Sequence, residues 1–444
     1  MSLPPASDHL LDARPTRIRY QVLVLVCVLS MLTYLHRVVF GAAVPTLEKS
    51  LGTNDLSLAL TAFLIAYALF EVPAGWLGDR FGPRSTLLQI VVLWSLCTML
   101  TGLVGWSIGG VALGGVLMLA GARFLFGAAQ AGAYPTITRA LHNWFPPTQR
   151  AQVQGWVWMS GRIVGGLAPF IWALLVTDAL TGTVLMSWRQ AFLLLGGLGV
   201  FWCLWFAWKF RNRPADDPRV NEAERTLIGE REANDAGHHA VPWKALLSSR
   251  TLTVLCLMYI CTNIGWHFHI AYLPKYVNER FHLSDSNLEA ALYKGGPLWM
   301  GAIGCLLGGF ISDRLSQRIG RRWGRSLLGF FALSGSAAFW LGARESQTAN
   351  WFFVCVSLSA FCSDLALGSA WATCQDIGRR HAAVTGAWMN MLGGLGGAVS
   401  VFLYPQLGAH NAFLMYAGAY AVGAVCWLAI DPNKPIEANS STRS

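Results

Sequence analysis

Charge is scarce in this chain of 444 residues: Asp, Glu, Lys and Arg make up 13% of it, against 54% hydrophobic residues. That is about half the charged share of an ordinary soluble domain. With a mean hydropathy of +0.44, the composition excludes a soluble globular protein and reads as an integral membrane protein. Short strands alternating apolar with polar residues are lacking, which excludes an outer-membrane barrel. What is present instead is a series of long apolar runs. They fall near 20–44, 57–78, 86–106, 109–133, 153–176, 189–209, 251–273, 288–311, 326–342, 350–373, 382–404 and 412–430. Each has about the length a helix needs to cross the hydrocarbon core. The expectation is an all-α membrane protein of twelve transmembrane helices.

Other absences narrow the function. The ten cysteines, at 27, 97, 203, 256, 261, 305, 355, 362, 374 and 426, lie in or beside the runs. They read as packing residues, with no disulfide or zinc framework. No nucleophile–base pair or metal-ligand spacing stands out, so neither an enzyme nor a metal or cofactor is expected. His267 and His269, two apart on a helix, point to different faces. The glycine clusters Gly161–Gly166 and Gly393–Gly397 follow no strand and read as helix-packing surfaces, not as a nucleotide fingerprint. Residues 1–19 are polar, and the run behind them is too long for a signal h-region and lacks a small-residue cleavage site, so no cleavable signal peptide is expected.

The net charge of +10 is a matter of topology. With both termini inside, 24 of the 33 Lys and Arg fall in inner segments and six in outer loops, leaving Arg37, Arg123 and Arg162 within spans. That asymmetry obeys the positive-inside rule. It places both termini in the cytoplasm of a multi-pass inner (plasma) membrane protein and calls for no nucleic acid.

The one long break in hydrophobicity, Arg211 to Ser249, carries twelve Asp, Glu, Lys or Arg within 211–240. It reads as a solvated linker with a short surface helix around Asn221–Glu232. The chain then divides into an N-terminal six-helix bundle (1–210), the linker (211–249), a C-terminal six-helix bundle (250–431) and a tail (432–444). A duplicated motif supports the division. Gly75-Trp-Leu-Gly-Asp79-Arg80-Phe-Gly82-Pro-Arg84 follows the second span, and Gly309-Phe-Ile-Ser-Asp313-Arg314 follows the eighth, with Arg318, Gly320, Arg321 and Arg322 behind it. The glycine permits close helix approach, the aspartate can cap a neighbouring helix, and the basic residues stay inside. Asp79, Arg80, Arg84, Asp313 and Arg314 are therefore expected to be gating or structural residues.

An arginine in hydrocarbon is costly and always charged, so Arg37 in the first run points to a substrate or ion pathway, the competing reading being an arginine that snorkels to the outer interface or pins a neighbouring helix. Arg162 in the fifth span joins it as an anion-binding candidate, since a guanidinium grips a carboxylate or phosphate bidentately. A structural pair with a carboxylate is the competing reading for Arg162. Tyr34, Tyr67, Trp371 and Asn390 are candidates to orient the same ligand. Arg123 lies two turns before Gln130 on one helical face, and a structural role suits it as well as a functional one. Glu71 and Asp364 are carboxylates well inside spans, each a candidate coupling group or a partner of an arginine.

The doubled G-x-x-x-D-R punctuation and the six-plus-six spans resemble the major facilitator superfamily over essentially the whole chain. A narrower resemblance is to its anion:cation symporter branch, the carriers of hexuronate, galactonate, glucarate and related anions. It rests on Tyr34-Leu-His36-Arg37, on Thr61-Ala-Phe with Tyr67 and Glu71-Val-Pro73-Ala-Gly75-Trp76, and on Arg123-Phe-Leu-Phe-Gly127-Ala-Ala-Gln130-Ala-Gly132-Ala-Tyr134-Pro135. In the second half it rests on Trp371 through Asp376-Ile-Gly-Arg-Arg and on Gly386-Ala-Trp-Met389-Asn390. The resemblance implies two pseudo-symmetric six-helix bundles that expose a midplane site alternately to each side, a monomer, and a small anionic substrate with H+ or Na+ as co-ion. Two departures bear on coupling. The branch has Asp where this chain has His36 and Glu where it has Gln130, and in the branch those acids carry the protons. His36, Glu71, Gln130 and Asp364 are thus the positions to weigh for coupling. The alternatives to a coupled carrier are a uniporter, an anion exchanger (organophosphate/phosphate antiport included) and a non-transporting sensor with a carrier fold.

Overall fold

The computed structural model describes residues 14–53, 56–105, 107–108, 111–112, 115–176, 185–229, 241–282 and 288–436. Its first half contains α1 (Ile18–Leu51), α2 (Ser57–Phe81), α3 (Pro83–Leu103), α4 (Val116–Gln130), α5 (Ala133–Trp144), α6 (Arg150–Val176) and α7 (Trp188–Lys209). A two-residue ladder, β1 (Ser107–Ile108) with β2 (Val111–Ala112), sits between α3 and α4. The linker forms α8 (Glu222–Ile228) and α9 (Trp243–Ser248). The second half contains α10 (Arg250–Ala271), α11 (Leu273–Phe281), α12 (Leu288–Ile319), α13 (Arg321–Arg344), α14 (Ala349–Leu365), α15 (Leu367–Gly378) and α16 (Ala382–Ala429).

These elements make twelve crossings. α4 and α5 run on as one span, as do α10 with α11 and α14 with α15. The 81 residues Ala349–Ala429 form one continuous run of apolar helical segments, which at about 1.5 Å per residue is several times longer than the hydrocarbon is thick. The stretch therefore has to turn back, and it does so twice. One turn is at 379–381 and the other at Gly408, where φ 68 and ψ 165 break α16 into two helices. Outward faces are apolar, as at Leu64, Phe201, Leu204 and Phe402, which are all exposed.

The internal repeat extends to the backbone. Gly82, between α2 and α3, has φ 81 and ψ 158; Gly320, between α12 and α13, has φ 83 and ψ 154. That conformation is essentially reserved to glycine, so both tight reversals depend on it. Span four breaks after Gln130, and span ten breaks at the matching place, Ala366.

The same motif joins the halves at the end where the linker lies. The Asp79 carboxylate accepts from the amides of Ala383 (3.1 Å) and Val384 (2.8 Å) at the start of α16. Asp313 accepts from those of Ala151 (3.3 Å) and Gln152 (2.8 Å) at the start of α6. Each aspartate thus supplies an anion to orphan donors at a helix N-terminus in the opposite half. Close approach needs the motif glycines. A Cβ at Gly75 would stand 2.7 Å from the Ala387 Cβ, and one at Gly309 would stand 2.6 Å from the Ala151 carbonyl oxygen. Asp376 adds ion pairs to Arg150 of the first half and to Arg325 of the second.

The linker is less solvated than its charge suggests. Asn221 caps α8 by accepting from the Glu224 amide at 3.0 Å, and the helix ends at Gly229, earlier than expected. Residues 230–232 of the expected helix lie outside the described residues. Glu224 is buried against the start of α1. It accepts from Thr16 Oγ1 (2.6 Å), from the amides of Ile18 (2.9 Å) and Arg19 (3.1 Å), and from the Arg19 guanidinium (3.0 Å). Burial opposes its ionisation, but these donors prevail and hold the carboxyl below the usual carboxylate range.

Glu224→Gln should therefore lower stability at neutral pH by about 1–3 kcal/mol, the size of a lost bond to a charged group. A folded-state pKa below the unfolded one means that this contribution is complete above the ordinary carboxylate value and lost as pH falls through the lower folded value. Thermal unfolding in detergent checks it: the gap between wild type and variant should close at acid pH, and no gap at neutral pH would contradict the assignment.

Candidate functional site

On α1, Ser30, Tyr34 and Arg37 follow one another at helical spacing and share the face turned to the centre of the molecule. Ser30 Oγ donates to the Val157 carbonyl (2.7 Å) and bonds Tyr134 Oη (2.8 Å), tying α1 to α5 and α6. The Tyr34 ring fills the gap left by Gly161 and Gly165; a Cβ at either would fall 2.6–2.7 Å from it.

Arg37 is half-buried. Its Nε donates to Gln130 Oε1 at 2.9 Å, while Gln130 Nε2 donates to the Thr33 carbonyl at 3.1 Å, so both ends of the amide are used. The guanidinium carbon stands 4.8 Å from the Tyr67 ring centre and 5.5 Å from that of Phe63. One terminal nitrogen of Arg37 has no hydrogen-bond partner, and among the described residues no carboxylate pairs with it. The cation is positioned by a neutral amide and aromatic faces, and its charge is left available.

Arg162 is in the opposite condition. Its Nε donates to Asp364 Oδ2 (3.0 Å), one terminal nitrogen donates to Asp364 Oδ1 (3.3 Å), and the other donates to Tyr34 Oη (2.6 Å). Its flat face lies 3.6 Å from the Trp266 ring centre. This is a bidentate pair that bridges α6 of one half and α14 of the other. Asp364 is thereby engaged as well.

Glu71 is buried at the boundary of the halves and meets the Asn390 amide of α16, which donates to Oε1. An arginine partner was one expectation for Glu71; the partner found is this amide. Two candidates from separate helices, Glu71 and Asn390, are brought together. His36 is not at the centre. One residue from Arg37 on the helix, it turns to α7, where Nε2 meets the Leu195 carbonyl at 3.0 Å. Arg123, buried, lies over the rings of Phe40 (4.1 Å), Phe63 (4.6 Å) and Phe126 (4.7 Å), and no carboxylate pairs with it among the described residues.

One layer nearer the linker end, aromatic rings close the centre. Tyr134 stacks on Trp158 at 4.0 Å and 2°, and Trp371 leans on Trp158 at 5.5 Å. Trp371 is buried and donates to Tyr259 Oη at 3.3 Å, which makes it part of this floor. Beyond the floor lie Asp79, Asp313 and the basic residues of the motif. Arg139 approaches Asp79 at 3.9 Å, and Arg84 donates to the Ala207 carbonyl at 2.7 Å. Arg80 lies over the Trp76 ring at 4.9 Å, and Arg314 is exposed. His267 bonds the Asn263 carbonyl and packs on Gly397, and His269 is buried between the Trp266 and Val356 carbonyls.

Tyr259 and Trp266 were missed by the sequence reading. They lie seven apart on α10 and so share a face, a signal that aromatic-rich spans blur. The Arg162–Asp364 pair makes a direct prediction. Arg162→Met or Asp364→Leu alone leaves a buried charge unpaired, with an expected cost of about 3–5 kcal/mol, and the double variant should recover much of it. A thermal-unfolding cycle measures this, and singles no less stable than the double would rule the coupling out.

The chain matches the family model of the Major Facilitator Superfamily over residues 26–401. It is 31% identical to the "Probable sulfoacetate transporter SauU" of Cupriavidus necator, over 93% of this chain and 94% of that protein. It is 28% identical to the hexuronate transporter of Bacillus subtilis, over 89% of this chain and 90% of that one. Among solved structures, the proton:xylose symporter XylE superposes with a TM-score of 0.72 at 12% identity, over 94% of this chain and 96% of that one. A doubled motif whose aspartates cap helices of the opposite half, twelve crossings, and a family match across both halves agree: the chain belongs to the major facilitator superfamily.

Proposed function

We propose that the protein is a secondary transporter of a small organic anion, moved by alternating access, and that Arg37 binds the anion. The observation that carries this reading is the Arg37 guanidinium, set at mid-depth, held by the neutral Gln130 and left without a carboxylate. An interior charge without a counter-ion is expensive, and a bound anion supplies the counter-ion. Carboxylates and sulfonates both present paired oxygens that fit the planar fork.

Arg123 favours a cargo with two negative charges. It is a second arginine without a carboxylate, and it rests on the same Phe63 ring as Arg37. Its field reinforces that of Arg37. The names of the relatives bring two such classes, a short sulfonate–carboxylate and the sugar diacids galactarate and D-glucarate. Tyr34 and Tyr67 beside Arg37, with Asn390 across the boundary, supply polar edges for the rest of the ligand. Arg162, fully bonded to Asp364 and Tyr34, orders the site without being free to bind.

The charge asymmetry supports an inner-membrane orientation with both termini and the linker in the cytoplasm. With the two aspartate clasps at the linker end made, the conformer described here is closed on that side. The fold's ordinary state, a monomer, needs no further partner.

Uptake of labelled sulfoacetate and D-glucarate into proteoliposomes tests the assignment. Arg37→Ala should reduce saturable uptake at least about 100-fold, the equivalent of about 2.7 kcal/mol lost with a charge-assisted bidentate contact. Arg37→Lys should recover little of it, because an ammonium cannot present the fork. Uptake by Arg37→Ala at the wild-type rate would remove Arg37 from the site, and binding of the anion without flux in wild type would favour a sensor.

A further inference from the structure

Among the described residues two carboxylates lie at mid-depth on the boundary of the halves, Asp364 and Glu71. Asp364 is held by a cation: Arg162 donates two hydrogen bonds to it and supplies its counter-charge. Glu71 is held differently. It is 1% exposed, and its partner is an amide, Asn390 of the other half, in place of a cation. An amide is a partner for either protonation state. Its Nδ2 donates to a carboxylate, and its Oδ1 accepts from a carboxylic acid after a half-turn of the side chain. The carboxyl of Glu71 can therefore gain or lose a proton and keep a hydrogen bond across the boundary.

The groups facing Glu71 are few. Arg37 of α1 is the charged side chain whose field reaches it. Tyr67, one turn before it on α2, lies between the two and carries Arg37 over its ring. From α10 the phenol of Tyr259 faces it. α4 and α5 present it no charged group among the described residues: Arg123 lies over the phenylalanine rings, and Arg139 beside Asp79. The other coupling candidates are elsewhere engaged or cannot titrate. His36 faces α7, and Gln130 is an amide already used at both ends.

We infer that Glu71 is the proton-binding group of the transport cycle, and that Arg37 and Glu71 form one combined site taking up one anion together with one proton. The inference rests on the anion reading of Arg37. Its physical basis is linkage. With the site empty, the charge of Arg37 favours ionised Glu71. An anion on Arg37 cancels that attraction and adds repulsion, so the anion-bound site favours the neutral acid. Reciprocity then requires that the proton tighten the anion by the same factor. On the acid side an O–H bond forms at a Glu71 carboxyl oxygen, the proton coming from hydronium and leaving water. On the other side, once the anion departs, the charge of Arg37 is restored and the proton passes back to water. The proton taken up at Glu71 offsets one negative charge of the incoming anion.

The test uses the whole protein in proteoliposomes with sulfoacetate as probe and the membrane potential clamped at zero. Wild type should exchange internal for external sulfoacetate without any gradient. It should also accumulate sulfoacetate when the outside is acid, by up to about tenfold per pH unit for one proton. Glu71→Gln should lose accumulation, and whatever exchange it retains should be insensitive to pH. Calorimetric binding of sulfoacetate to wild type in two buffers of different ionisation enthalpy gives a readout that does not depend on the variant folding; it should show about one proton taken up per anion. Accumulation by Glu71→Gln equal to wild type, exchange in wild type that ignores the pH gradient, or binding without proton uptake each overturns the inference and leaves the anion reading standing. Absence of both binding and exchange in wild type for sulfoacetate and D-glucarate alike overturns the anion reading, and this inference with it.

Discussion

The constraint behind this structure is the cost of a charge without a partner where water is scarce. The interior charges of the chain meet it in different ways. Asp79 and Asp313 are stabilised by the free amides at helix N-termini. Arg162 and Asp364 neutralise each other. Arg123 is covered by three aromatic faces, a weaker compensation than an anion. Arg37 has one neutral amide and aromatic faces but no carboxylate among the described residues, which leaves its charge without a counter-ion.

The same constraint explains how the halves meet. At the linker end the contact consists of a few hydrogen bonds from each aspartate, made where motif glycines bring two backbones together. Such contacts are specific, yet each has a ready substitute in water once the helices separate. A boundary that has to open during a transport cycle is better built this way than from a broad apolar interface, because it can exist in two discrete arrangements. The Arg162–Asp364 bridge is deeper and drier, and separating it leaves two bare charges.

His36 and Gln130 change what a site of this kind can do. In place of the acid expected at each position by resemblance stand a histidine turned to the neighbouring helix and an amide bound at both ends. A glutamate at 130 would have neutralised Arg37. The amide holds the same geometry and leaves the charge, which strengthens the pull on an incoming anion. In the proposed cycle the titratable group is instead Glu71, at the boundary of the halves, where it meets Asn390.

The linear sequence was enough to determine the membrane class, the crossings and the internal repeat. Those features rest on local rules: run length against hydrocarbon thickness and a motif in two places. Even the capping role of Asp79 and Asp313 was legible, because an aspartate at a glycine-marked helix end has few other uses. Pairing was not legible. Arg162 could have faced a ligand or a carboxylate, and only the packing of α6 against α14 decided for Asp364. Glu71 could have met an arginine, and the approach of α16 gave it Asn390. His36 and Arg37 are adjacent in the chain, and the rotation of about 100° per residue in a helix sent one to α7 and the other to the centre. Which side chains face each other across two helices depends on the azimuth and depth of both, and one sequence fixes neither until the whole bundle is packed.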